Sequence, residues 1–168
     1  MPQGDDSEMA GVAAGGRHDP TRFAFGATAA IMTSMALIVG LGSVSSGKTG
    51  ILSGLLIIAI ADNLSDTLGI HIHEESRARG SAVRTSVTNY LTRLVVAGSF
   101  IVLVLALPLG MARVVSIVWG ALLLSALTWL IASNRGAAPL PEVVRHLAVA
   151  VAVVALSQLI GSLIHGAF

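Results

Sequence analysis

Two carboxylates one helical turn apart, Asp62 and Asp66, stand inside an otherwise apolar run, Gly50 to Ser76 (GILSGLLIIAIADNLSDTLGIHIHEES), which ends in His71, His73, Glu74 and Glu75. A charged side chain at the centre of a bilayer costs roughly 2.5 to 3.5 kcal/mol on insertion scales, so acids kept there are functional-site candidates. At about 100° per residue, Asp62, Asp66, Gly69 and His73 fall in one narrow stripe with Ser65 at its edge, and Asn63, Thr67 and Glu74 form a second stripe beside it. Oxygen with some imidazole is the donor set that suits Mn2+, Fe2+ or a similar divalent ion. The chain has no cysteine, which removes soft thiolate sites, disulfides and cysteine nucleophiles.

On this reading Asp62 and Asp66 are the principal metal ligands, with Asn63 and Ser65 auxiliary and His73 and Glu74 at the entry. His71 points away from the stripe, and Glu75 reads first as a solvated charge; both are further candidates. Met32 and Met35, in the preceding apolar run, could add thioethers, although a membrane methionine more often simply packs. The plainer alternative is that the aspartates bond to neighbouring helices and serve as packing glue. Counting about 1.5 Å per residue from Ile72, Asp66 lies roughly 9 Å and Asp62 roughly 15 Å inside the boundary.

The elements that carry these residues follow from composition. Of 168 residues 54% are hydrophobic and only 11% are charged, too apolar for a soluble domain and long enough for several spans. The expected architecture is all-α and polytopic, with five membrane-spanning helices at about 23–41, 50–72, 94–110, 114–133 and 143–165. Residues 1–19 read as a disordered tail without a signal-peptide pattern, and 20–168 as one membrane domain. Asp19-Pro20 is a helix-start signal. Residues 74–92 (EESRARGSAVRTSVTNYLT) read as a polar connection on the surface, and Met111-Ala112-Arg113 as a tight turn.

Residues 42–49, GSVSSGKT, match the phosphate-loop pattern G-x-x-x-x-G-K-[ST]. That pattern works between a buried strand and an amphipathic helix of a soluble α/β domain, whereas both flanks here are of span length. A short interhelical turn uses the same small residues. No nucleotide role, and no enzymatic one, is expected.

Basic residues orient the helices. Arg17, Arg22, Arg77, Arg79, Arg84, Arg93, Arg135 and Arg145 fall on one side of the expected topology, and Lys48 and Arg113 on the other. The positive-inside rule then places the N-terminus and the HIHEES end in the cytoplasm and Phe168 outside. The net charge of +1, with no basic run, gives no sign of a nucleic-acid partner.

FGATAAIMTSMALIVGLGS followed by GLLIIAIADNLSDTLGIHIHEES resembles the first two spans of the vacuolar iron transporter family, which includes the calcium-cross-complementing iron and manganese transporters. The resemblance is clearest over residues 25–76. It implies five spans, a cytoplasmic N-terminus, a homodimer, and export of Fe2+ or Mn2+ from the cytoplasm in exchange for protons. Against the family's first-span pattern, Ala29 stands where the metal-binding aspartate belongs and Ser34 where the proline does. Asp66 stands at the methionine of the family's second span, and the glutamate-rich cytoplasmic domain is missing between spans two and three.

Taken together, these features make the expected function antiport of a divalent metal and protons across a bilayer, of the bacterial plasma-membrane type, with the ion as substrate and no resident cofactor. Two close acids in a low dielectric favour holding protons, which a divalent ion displaces. Gly40, Gly42 and Gly54, with Ala59 and Ala61, offer small surfaces for pairing two copies. A membrane scaffold or assembly protein without transport is the alternative.

Overall fold

A computed structural model describes residues 20–44, 47–76 and 82–167. The expected tail at 1–19, and Arg77 and Arg79 of the basic connection, lie outside the described residues. Among the described residues six α-helices make five membrane-length rods: α1 (Pro20–Ser43), α2 (Gly47–Ile57), α3 (Asn63–Ser76), α4 (Ala82–Ala106), α5 (Leu109–Asn134) and α6 (Pro139–Ala167). A π-helical turn, Ile58–Asp62, joins α2 to α3. No strand occurs among the described residues. Among the described residues five stretches are long and apolar enough to cross a membrane: Ala24–Ser43, Gly47–His73, Val83–Ala106, Leu109–Asn134 and Pro139–Ala167.

Helix α1 is the axis, with half of its span buried (50%) against 11% for α6. It packs against α2, α4, α5 and α6. Small residues let the rods approach. On α5 the buried positions Ala112, Ser116, Gly120, Leu124, Thr128 and Ala132 recur every fourth residue, one ridge facing inward. Met35 of α1 lies over Gly120, and Gly161 of α6 meets the Gly40 carbonyl and Ser43 of α1. Three of the small residues expected to pair two copies are therefore used within one chain: Gly40 packs on Ser157, Gly42 on Arg113, and Gly54 on Leu37 and Leu41. Ala59 is buried as well, which leaves Ala61 as the one exposed member of that set.

The helix ends have local causes. Pro108 has no amide hydrogen and ends the α4 rod, and its carbonyl accepts from the Ala112 amide at 2.8 Å as α5 begins. At the far end of α5, Gly136 takes a φ of 68°. The Gly136 amide donates to Ser133 O and the Ala137 amide to Ala132 O, a Schellman closure that needs a left-handed residue at that point.

Three boundaries differ from expectation. Helix α4 begins at Ala82 rather than near 94, because Val83, Val87, Leu91 and Val95 give the polar-looking segment a continuous apolar face. Met111-Ala112-Arg113 lies inside α5, because Leu107-Pro108 already make the turn. The connection after α1 is short, so Lys48 sits in α2, where its Nζ donates to the Leu105 carbonyl at 2.7 Å and closes the end of α4.

The bundle has two unlike halves. Around Ile38, Ile51, Leu55, Phe100 and Val104 the core is dry and apolar. Towards the N-terminal end of α1, buried Asn63, Ser86, Asn89 and Arg93 replace aliphatic groups.

Candidate functional site

The polar half is built from α3, α4 and α1. Asp62 ends the π turn and Asp66 stands in the first turn of α3, and both face α4. Arg93, only 3% exposed, reaches them from α4: Nη2 donates to Asp62 Oδ2 at 3.0 Å and Nη1 donates to Asp66 Oδ2. Arg93 is therefore buried within the bundle, and the expected positive-inside count drops from eight to seven once it is taken out. The guanidinium compensates one carboxylate charge and leaves the pair with one in surplus. The two aspartates keep 50% and 43% of their side-chain surface, so the buried member of the triad is the cation.

The surroundings of Arg93 are unusually polar for a membrane bundle. Asn63 donates from Nδ2 to the Tyr90 carbonyl at 3.0 Å, locking α3 to α4. Asn63 Oδ1, Thr67 Oγ1, Ser86 Oγ, both polar atoms of Asn89 and Arg93 Nε are buried without a partner. A buried polar group left without any partner costs about 1–3 kcal/mol, and Ser34 Oγ, Ser116 Oγ and Arg113 Nε stand the same way elsewhere in the bundle. On the α1 side stands Gly26, where a Cβ would collide with Asn89 Oδ1 and press Arg93 Cγ at 3.2 Å.

Two clefts open at this end. One, of about 450 Å³, is lined by Phe25, Ser65, Asp66, Gly69, His73 and Thr85, so Asp66 sees an open space whose wall includes an imidazole. The other, of about 320 Å³, lies between α1, α5 and α6 and includes Thr28, Arg135, Glu142 and His146; Phe25 lines both. His146 Nδ1 bonds the Glu142 carbonyl at 2.8 Å, and Arg145 pairs with Glu142 at 3.4 Å.

Of the residues expected from the sequence, Ser65, Asp66 and His73 share the first cleft, and Asp62 joins them through Arg93. Asn63 is buried and faces α4 rather than the cleft. His71 is half-buried and Glu75 exposed on α3, neither lining the cleft. Glu74 belongs to α3, but its side chain lies outside the described residues. Met35 is buried over Gly120 and Met32 packs against the apolar core, away from the aspartates. Among the described residues no three or more histidine, aspartate or glutamate side chains stand together as a ready-made metal cage. Sequence reasoning missed Arg93 as a site residue, although Ser86, Asn89 and Arg93 at spacings of three and four form a polar stripe matching the one on α3.

Comparison with protein-family models, with curated proteins and with solved structures finds no match for the chain.

Proposed function

We propose that the protein is a multi-pass membrane transporter that exchanges a cation for protons at the Asp62–Arg93–Asp66 triad. One observation carries this reading: a buried arginine bridges two carboxylates and leaves one negative charge in surplus beside an open cleft. A bare surplus charge in a bilayer is costly, so in the proposed exchange a proton and the transported ion compete for the two carboxylates, and His73 on the cleft wall lies on the way in. The apolar core beyond the triad separates it from the other face.

The ion proposed is Fe2+ or Mn2+, moved out of the cytoplasm, on the strength of the resemblance over residues 25–76 and of the oxygen-rich donor set. A homodimer in a plasma membrane of bacterial type belongs to the same proposal. Asp62 is half exposed on the outer surface of the bundle, where a second copy would shield it from lipid.

The test is uptake into proteoliposomes across a panel of divalent ions, with a pH dye inside. Ion movement coupled to opposite proton movement, lost in Asp66→Asn, is the expected result. Ion movement without a proton signal would reduce the reading to a channel or uniporter. The rival, a scaffold without transport, draws on the way the triad ties α3 to α4 within one chain, and it predicts no flux for any ion.

A further inference from the structure

We propose that Arg93 has a second seat: a pocket of neutral oxygens from Asn63, Thr67, Ser86 and Asn89 that receives its guanidinium when a cation occupies Asp62 and Asp66. The inference rests on the exchange reading and deepens it, by making Arg93 a tethered competitor of the transported ion.

The polar half offers unpartnered acceptors. Asn63 Oδ1, Thr67 Oγ1, Ser86 Oγ and Asn89 Oδ1 are all buried and unpartnered, and Asn63 and Asn89 are each only 1% exposed. A guanidinium is the complementary group, with five N–H donors and no acceptor. In the present seat its two terminal nitrogens hold the aspartates while Nε has no partner.

The path is short. Helical side chains lean towards the N-terminus of their helix, so Arg93 extends along α4 past Asn89 and towards Ser86, one and two turns back. Across the interface, the bond from Asn63 to the Tyr90 carbonyl fixes the antiparallel register and brings Thr67, one turn further along α3, to the level of Ser86. Gly26 lets Asn89 and Arg93 press against α1: a Cβ there would collide with Asn89 Oδ1 and stand 3.2 Å from Arg93 Cγ.

Charge explains why a second seat is useful. Two carboxylates and a divalent ion are neutral together, and a guanidinium left between them would repel the ion. Withdrawing it to neutral oxygens admits the ion, and its pull back towards the aspartates drives the ion off again. Arg93 acts as a positioning residue, setting affinity without touching the substrate.

The test is Mn2+ binding by calorimetry to the full chain in lipid nanodiscs, in wild type, Asn89→Leu, Arg93→Gln and the double variant. Asn89→Leu should weaken Mn2+ by about tenfold in wild type and by less than about twofold once Arg93 is gone, the coupling expected of groups that meet. Arg93→Gln alone should tighten binding. An equal effect of Asn89→Leu in both backgrounds, or none in either, overturns the proposal.

A second measurement needs no metal ion and no Arg93 variant. Replacing both aspartates, Asp62→Asn with Asp66→Asn, removes the charged partners of the present seat. The 15N resonance of Arg93 Nε should then move where Asn89 is present and stay fixed where Asn89→Leu is added; a resonance unmoved with Asn89 present overturns the seat. Movement, with wild type binding no divalent ion, would retain the seat and reject the exchange reading instead.

Discussion

Arg93 Nη2 lies 3.0 Å from Asp62 Oδ2 across the α3–α4 interface while Arg93 itself is 3% exposed, so the cation depends more on its partners than they depend on it. Neutralising one aspartate leaves Arg93 a second partner. Asp62→Asn and Asp66→Asn should therefore insert and melt within a few degrees of wild type. Neutralising both takes every counter-charge from the buried guanidinium, which neutral oxygens offset only in part, at about 3–5 kcal/mol. Thermal unfolding in detergent checks this: a double variant as stable as the singles would show that the triad does not hold α3 to α4.

Proton competition gives the second prediction. In the proposed exchange a proton and the cation compete for the same carboxylates, so acidifying the cytoplasmic face should inhibit and alkalinity should activate. With one proton competing for the site, apparent affinity changes at most by about tenfold per pH unit. Flux of Mn2+ against external pH, in liposomes where that face is outward, measures the slope. A flat profile over two units would reject competition at the triad.

The five spans and the shared stripe of Asp62, Asp66 and His73 were legible because hydropathy and the 3.6-residue period act within one segment. Arg93 was not. Its importance comes from α4 crossing α3, and Ser86, Asn89 and Arg93 dilute the hydropathy of the stretch that buries them, so the span was expected to start at Leu94. The face made by Val83, Val87, Leu91 and Val95 was the available signal. The π turn at Ile58–Asp62 had no signature in residue type. Gly40, Gly42 and Gly54 announced close contact correctly, but composition does not say whether the contact is with another chain or with another helix of the same one.

Two glycines separate backbone from side-chain contact. At Gly161 an added Cβ would meet the Gly40 carbonyl, which moves only if α1 and α6 separate. At Gly120 it would meet the Met35 thioether, which has three rotatable bonds and can step aside. Gly161→Ala should thus cost about 1–3 kcal/mol as an overpacked interface, and Gly120→Ala clearly less. Melting temperatures of the two variants, measured side by side, decide it; a reversed order would mean that α1 and α6 are not rigidly seated.

The last prediction is topological. The cleft of Arg135, Glu142 and His146 shares Phe25 with the cleft of Asp66 and His73, so the start of α1, the end of α3 and the α5–α6 turn lie at one end of the bundle. Arg113 meets Gly42, and Lys48 caps α4, at the other end. Among the described residues Arg84, Arg135 and Arg145 stand at the first end and Lys48 and Arg113 at the other, so the positive-inside rule gives the first end as the expected cytoplasmic one. A reporter fused before Met1 should therefore be protected inside the cell, and one after Phe168 should be accessible outside. Both on one side would remove the fifth crossing, and the opposite arrangement would turn the proposed direction of transport around, since the cleft at Asp66 would then face outward.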